Sequence, residues 1–253
     1  MALDVEQVRS RLPGRRIEWL AEIDTTMSEA ERLADAGAAA GTVVGAEMQR
    51  TGQGRQGRHW HSAAGEGLYF TEILRLELPP PRVPVVTLAL GVAVADVLKL
   101  RTGLECDLRW PNDVLVNGRK VCGILTQLHN GAILAGVGLN VNQTDFPAPL
   151  GEIATSLRME SGETYGREAL LVALVRSIDS NVRILATGGA VPILTLFSTM
   201  SSYAEGKSVE VELPDGVVRG TTGGLTADGF LRLRLAGGGE RVITAGGVRP
   251  VED

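Results

Sequence analysis

Apolar and polar residues alternate in short runs through the first half of the chain, with longer helical periods between them. Ile17–Ile23 (IEWLAEI) reads as a strand, as do segments near 42–48 and 67–75. After the first strand, Thr25 or Thr26 is placed to cap a helix over 28–36, and Gly37 to stop it. An apolar helix over about 85–101, ending at Gly103, carries Thr87, Asp96 and Lys99. It reads as a core helix, because a bilayer span needs about 20 predominantly apolar residues. Strands follow near 107–110, 113–117, 120–128 and 132–140, with Asn117-Gly118 a strong hairpin turn, and then helices near 166–186 and 190–200. Adjacent strands with segregated helices predict an α+β fold on a mixed sheet, not a βαβ series.

The texture changes after about residue 205. Residues 209–213 alternate, Pro214-Asp215-Gly216 reads as a turn, and 225–235 and 241–244 alternate again between glycines. This predicts a main domain over 1–204 and a small all-β module over 205–253. A module of roughly fifty residues is too small to be very stable alone, so it is expected to pack on the main domain.

Composition narrows the function. Hydrophobic residues at 44% and charged residues at 22% are ordinary globular values, which argues against long-range disorder. A net charge of −5 argues against general nucleic-acid binding. Cys106 and Cys122 and the three histidines show no metal-ligand spacing, so the cysteines read as reduced thiols. The acidic N-terminus has no apolar signal run behind it, which predicts a soluble cytoplasmic protein that engages no membrane.

The densest chemistry lies at 51–58, TGQGRQGR, with three glycines and two arginines in eight positions. Gly52-x-Gly54-x-x-Gly57 has the spelling of a dinucleotide-binding loop, but that motif needs a helix opening at its last glycine. Here Gly65 and Gly67 interrupt the chain and 68–74 reads as another strand. The segment is therefore a basic, Gly-rich loop between two strands, able to close around a small anion. Further on come Arg109-Trp110-Pro111-Asn112-Asp113 and Lys120-Val121-Cys122-Gly123, which set a lysine beside a strand-turn-strand pocket.

Taken together, Asp24-Thr25-Thr26, Gln49 with 52–58, 109–113, Lys120 to Leu125, and Gly136 to Asn142 resemble the biotin–protein ligases, in the same order and over nearly the whole chain from about residue 17. Each motif is weak alone; five in order are specific. The resemblance implies a class II synthetase-like catalytic domain followed by an SH3-like β-barrel. It also implies a two-step reaction, in which biotin and ATP give biotinyl-5′-adenylate and pyrophosphate and a lysine of a biotin carboxyl carrier protein then attacks the anhydride. Mg²⁺ would accompany ATP. Only residues 1–16 precede the first core strand, so the type expected is the monofunctional one, with no DNA-reading domain and no DNA partner. A homodimer is compatible with it.

Roles follow by the same resemblance. Thr25, Thr26 and Gln49 would hydrogen-bond the ureido head of biotin, with Gln53, Gly54 and Gly123 completing that site. Arg55 and Lys120 would offset the repulsion between the biotin carboxylate and the α-phosphate. At about 4 Å and an effective dielectric of 20, each cation is worth on the order of 4 kcal/mol before desolvation is subtracted. Trp60 would stack on adenine, and Arg58, Asn112 and Asn140 would complete the ATP site with Arg55 and Lys120. Asp113 would lie near the incoming lysine. Read singly, Thr25 is also a helix cap, Trp60 a core aromatic, Asn112-Asp113 a turn, Lys120 a solvated charge and Asn140 a strand end.

Three positions depart from the family pattern: Gln53 stands where the loop commonly has Arg, Met27 where Asn is usual, and Arg109 where Lys is common. The alternatives are a lipoate ligase or octanoyltransferase of the same fold, for which Cys122 would be the candidate thiol, and a non-catalytic biotin- or nucleotide-binding module.

Overall fold

The computed structural model describes residues 2–76, 83–213 and 216–251. Strands β1 (Ile17–Ile23), β2 (Val43–Gln49), β3 (Gly67–Leu74), β4 (Asp107–Arg109), β5 (Asp113–Val116), β6 (Arg119–His129) and β7 (Ala132–Asn140) form one mixed sheet, ordered β1-β2-β3-β7-β6-β5-β4. β1 and β2 run parallel and the other neighbours antiparallel. The β5–β6 and β6–β7 hairpins turn on Asn117-Gly118 and Asn130-Gly131, all four at positive φ, as a two-residue hairpin turn requires.

The two faces of the sheet are covered unequally. On one, α3 (Val83–Thr102) packs with α5 (Arg167–Gly188) and α6 (Ala190–Thr199), burying Phe70, Leu108 and Ile124. Although α3 is long and apolar enough to cross a membrane, most of it is buried among these neighbours, which accounts for a helix apolar on every side. On the other face, α2 (Thr26–Asp35) inserts Met27, Ala30 and Leu33 against Val44, Ile73 and Leu134. It packs on β2, β3 and β7. The surface over β6 and the end of β7 is left to loops, and the candidate site lies there.

From residue 205 a second sheet follows: β8 (Glu205–Leu213), β9 (Gly216–Leu225), β10 (Leu231–Leu235), β11 (Glu240–Ile243) and β12 (Gly247–Pro250), antiparallel in the order β11-β10-β9-β8-β12. Its Val209, Val211, Leu231, Leu233, Ile243 and Val248 join the apolar cluster that contains α3, and Trp110 Nε1 donates to Gly229 O at 2.9 Å. The two sheets therefore share one core.

Several elements differ from the sequence expectation. The alternation read over 225–235 holds only the last residue of β9, a turn in which Gly229, at φ +80°, donates to Thr226 O, and β10. β9 escaped notice because Gly and Thr crowd GVVRGTTGGL and blur its period. α1 (Val5–Arg11), capped by Asp4, buries only Val8, so it carries no apolar stripe to read. α4 (Leu157–Ser161) is a single turn capped by Ser156. The turn expected at 214–216 lies partly outside the described residues.

Candidate active site

Three glycines clear a trough on the open face of the sheet. Gly123 on β6 and Gly138 on β7 are cross-strand partners, and Gly136 lies one pleat further along β7. A Cβ at Gly138 would stand 2.5 Å from the Trp60 indole, one at Gly123 2.7 Å from it, and one at Gly136 2.9 Å from Met27 Sδ. Glycine inside a strand weakens it, and its usual reason is close approach by another group. Here the closest group is Trp60, which lies over both glycines with its indole N–H buried and without a hydrogen-bond partner.

Lys120 reaches this trough by a local irregularity. Its ammonium lies 5.3 Å from the centroid of the Trp60 ring, and a Cβ on Gly123 would lie 2.9 Å from Lys120 Cε. In a regular strand, residues three apart face opposite sides. The β5–β6 register shifts between Val114, opposite Cys122, and Leu115, opposite Lys120, leaving Val121 as an extra residue. This is a β-bulge, which re-aims side chains. Val121 and Cys122 are both buried in the α3-side core, and Lys120 and Gly123 share the open face.

The lysine is not alone. Lys120 Nζ lies 2.5 Å from Asp113 Oδ1, and Arg109 donates to Asp113 Oδ2 at 2.8 Å. Burial pushes the Asp113 carboxyl up, but the Lys120 ammonium and the Arg109 guanidinium outweigh it and hold the group below its ordinary value. Such a carboxylate is a poor base; it acts as a counter-ion that keeps two cations together in a half-buried site. Arg109, one of the three departures from the family pattern, is thus part of the cluster.

At the other end, polar groups converge beneath the start of α2. Thr25 caps the helix, its hydroxyl accepting from Met27 N at 3.3 Å. Thr26 donates from its backbone N–H to Gln49 Oε1 at 2.9 Å, and its hydroxyl shares a hydrogen bond with the Thr71 hydroxyl at 2.9 Å. Gln49 Nε2 donates to Ser62 Oγ at 3.1 Å. The sequence reading missed Thr71 and Ser62. Thr71 left a signal: it is a polar residue inside the fully buried strand GLYFTEIL.

The Gly-rich loop arches between these ends. No helix opens at Gly57; a single 3-10 turn, Arg55–Gly57, is tied by Gly54 N to Arg58 O at 2.7 Å and by Trp60 N to Gly52 O at 2.8 Å. Gln53 is exposed and bridges His59 within the loop itself. Arg55 points inward, donating to Asn112 Oδ1 at 3.2 Å and to Gly246 O of the C-terminal sheet at 3.1 Å. Burial, chiefly, lowers its pKa. Asn112 is fixed in turn by Nδ2 to Ile124 O at 2.9 Å.

Not every candidate joins the cluster. Arg58 turns outward to Glu212 at 3.0 Å, with both side chains more than half exposed. Asn140 is buried and its amide engaged, donating to Thr155 O at 2.9 Å and accepting from Gln143 at 3.4 Å. Cys122 is fully buried on the opposite side of the strand, and burial pushes its thiol up, so it offers no nucleophile to the trough.

Residues 19–143 match the biotin/lipoate A/B protein ligase family, and 206–248 match the biotin protein ligase C-terminal domain. The biotin–[acetyl-CoA-carboxylase] ligase of Mycobacterium tuberculosis is 32% identical over 97% of this chain and 94% of its own length. The bifunctional ligase/repressor BirA of Bacillus spizizenii is 33% identical over 94% of this chain and 75% of its own. Among solved structures, biotin protein ligase from Aquifex aeolicus in complex with biotin and ATP superposes with a TM-score of 0.82 at 30% identity, covering 93% of this chain and 99% of that one.

Proposed function

The chain belongs to the biotin/lipoate A/B protein ligase family, and from that premise we propose that it is an ATP-dependent biotin–protein ligase acting on a biotin carboxyl carrier protein. The observation that carries this reading is the glycine-cleared trough, with Thr26 and Gln49 at one end and Lys120 beside Trp60 at the other. A neutral polar end suits a ureido ring, and a cationic end suits a carboxylate meeting a phosphate. In the first step a biotin carboxylate oxygen attacks the α-phosphorus of ATP and pyrophosphate leaves. Lys120 and Arg55 are the cations we assign to the two converging anions. In the second, a carrier lysine amine attacks the acyl carbon, AMP leaves and the amine proton passes to solvent.

We assign the head-group contacts to Thr25, Thr26 and Gln49, with Gly123 on the trough floor; Gly54 and the exposed Gln53 belong to the loop above it. The adenosine contacts go to Trp60 and Asn112, while Arg58, turned out to Glu212, and Asn140, engaged by Thr155 O and Gln143, stay outside the assignment. Trp60 must lift from Gly123 and Gly138 for substrate to lie on them. Asp113 holds Lys120 until an anionic substrate replaces it. Among the described residues no three His, Cys, Asp or Glu side chains converge on a metal position, as suits Mg²⁺, an ion held largely by phosphates and water. Residues 1–204 carry this site and 205–253 form the appended module, whose Gly246 carbonyl holds Arg55. Buried Cys122 disfavours a thioester route. The test is incubation with biotin, ATP, Mg²⁺ and a biotin carboxyl carrier domain, followed by intact mass. A carrier that gains one biotinyl group only when ATP is present supports the reading; an unmodified carrier overturns it.

A further inference from the structure

A second layer of contacts, on the side of Lys120 away from substrate, converges on one carboxylate. The backbone of Lys120 is gripped from the segment after β7: Lys120 N donates to Ile153 O at 2.8 Å and Thr155 N to Lys120 O at 2.9 Å, an isolated parallel bridge centred on Ala154. That segment is held by Glu160, whose side chain is 4% exposed. Glu160 accepts from the Thr155 hydroxyl at 2.5 Å, from Arg119 at 2.5 Å and from Asn117 Nδ2 at 2.6 Å. It therefore ties the hairpin turn, the residue before Lys120 and the strand that bridges Lys120 into one unit. Thr155 O also receives the Asn140 amide. A bulged strand has lost part of its own ladder at this point and does not fix the residue by itself.

We propose that Glu160, acting through Thr155 and Arg119, is the positioning residue for Lys120. This rests on the assignment of Lys120 to the biotin carboxyl. The test uses the full-length chain with Glu160→Ala, Glu160→Gln, Thr155→Val and Thr155→Ser. Hydrogen exchange at the Lys120 amide reads the grip directly. Pyrophosphate release without carrier gives KM for biotin and kcat, and thermal melting shows whether each variant folds. Glu160→Ala and Thr155→Val are expected to speed exchange at Lys120 and raise the biotin KM by roughly tenfold, the equivalent of one charged hydrogen bond. Thr155→Ser keeps the hydroxyl–acceptor pair and is expected to restore most of it, whereas Glu160→Gln keeps the acceptor without the charge and is expected to fall between Glu160→Ala and wild type. A merely structural role would lower the folded fraction, and so kcat, without moving KM. Unchanged exchange and KM in Glu160→Ala, or a lowered melting temperature with KM unmoved, would overturn the proposal. Absence of pyrophosphate release by the wild-type chain would instead strike the ligase reading, while the exchange measurement still decides the grip.

Discussion

Gly123 and Gly138 face each other across β6 and β7, and one indole covers both. Alanine is favoured over glycine in a strand by roughly 0.5–1 kcal/mol, which offsets part of the cost of moving Trp60 and Lys120 aside, so Gly123→Ala is expected to leave the chain folded with a melting temperature close to wild type. The added methyl would stand where Trp60 now lies and where substrate would have to lie. Biotin affinity is expected to fall by about tenfold or more, a loss of at least ~1.4 kcal/mol. Calorimetric titration beside thermal melting checks it; unchanged affinity would mean that the trough is not the biotin site.

The cations are expected to rank by burial and direction. Lys120→Ala removes a charge aimed into the trough and should slow pyrophosphate release by on the order of 10²-fold, the scale seen when one transition-state donor is lost. Arg55→Ala should follow it. Arg58 is paired with exposed Glu212, an interaction worth about 0–1 kcal/mol, so Arg58→Ala should stay within a few-fold of wild type. Carrier-free pyrophosphate release measures all three, and a Lys120→Ala variant at the wild-type rate would remove the assignment.

Stability should carry a pH signature from β3. Glu72 is fully buried, 2.7 Å from Arg15, which also binds Asp179. Burial pushes its carboxyl from an ordinary 4.5 up to about 7, against the opposing pull of Arg15. The folded state then holds its proton more tightly than the unfolded chain, so stability falls as pH rises from the unfolded to the folded pKa and is level above it. Relative to Glu72→Gln, wild type is expected to lose up to about 3 kcal/mol across that window, at ~1.4 kcal/mol per unit. Denaturant melts at intervals from pH 4 to 8 would show it; a stability difference independent of pH would contradict it.

The C-terminal sheet is expected to be inseparable from the rest. Its apolar residues share the α3 core, so deletion of 205–253 should expose that core and unfold the chain rather than merely slow ligation. Trp110→Phe is a gentler probe: it removes the indole bond to Gly229 O together with part of a buried ring, and should lower stability by roughly 1–3 kcal/mol. A truncated chain that melts cooperatively near the wild-type temperature would show two independent units.

Segment 51–61 is held largely by its own turn, three contacts of its two arginines to neighbours and the indole over glycine. Hydrogen exchange in this segment is expected to be fast without ligand and slowed by biotin, because few apolar contacts oppose opening. Equal protection in both states would count against closure of the loop on substrate.

The main sheet was legible because its strands carry clear periods and end at Gly or Asn-Gly turns. Thr26 with Gln49, Arg55 with Asn112, and Lys120 with Asp113 also lie together as the motif order suggested. What stayed hidden depends on register. Nothing in LYFTEIL says that Thr71 faces the Thr26 hydroxyl while Glu72 faces Arg15 on the other side; both follow from which neighbours the strand pairs with. Glu160 was equally invisible, because its three donors come from 117, 119 and 155, brought together only by the parallel bridge at Ala154. The outward turn of Arg58 depends on a glutamate far along the chain.

The extra residue at Val121 turns the count of amino acids into a switch of sides. Three positions separate Lys120 from Gly123, an odd number that places them together only while the bulge persists. Substituting Val121 by another apolar residue changes packing. Should the strand become regular with Val121 still in place, the ammonium would turn into the apolar interior beneath the sheet, where an unpaired charge is untenable. Deleting Val121 would leave Lys120 and Gly123 two positions apart, on one face of a regular strand, so the site needs here either an even count or a bulge that absorbs the odd residue.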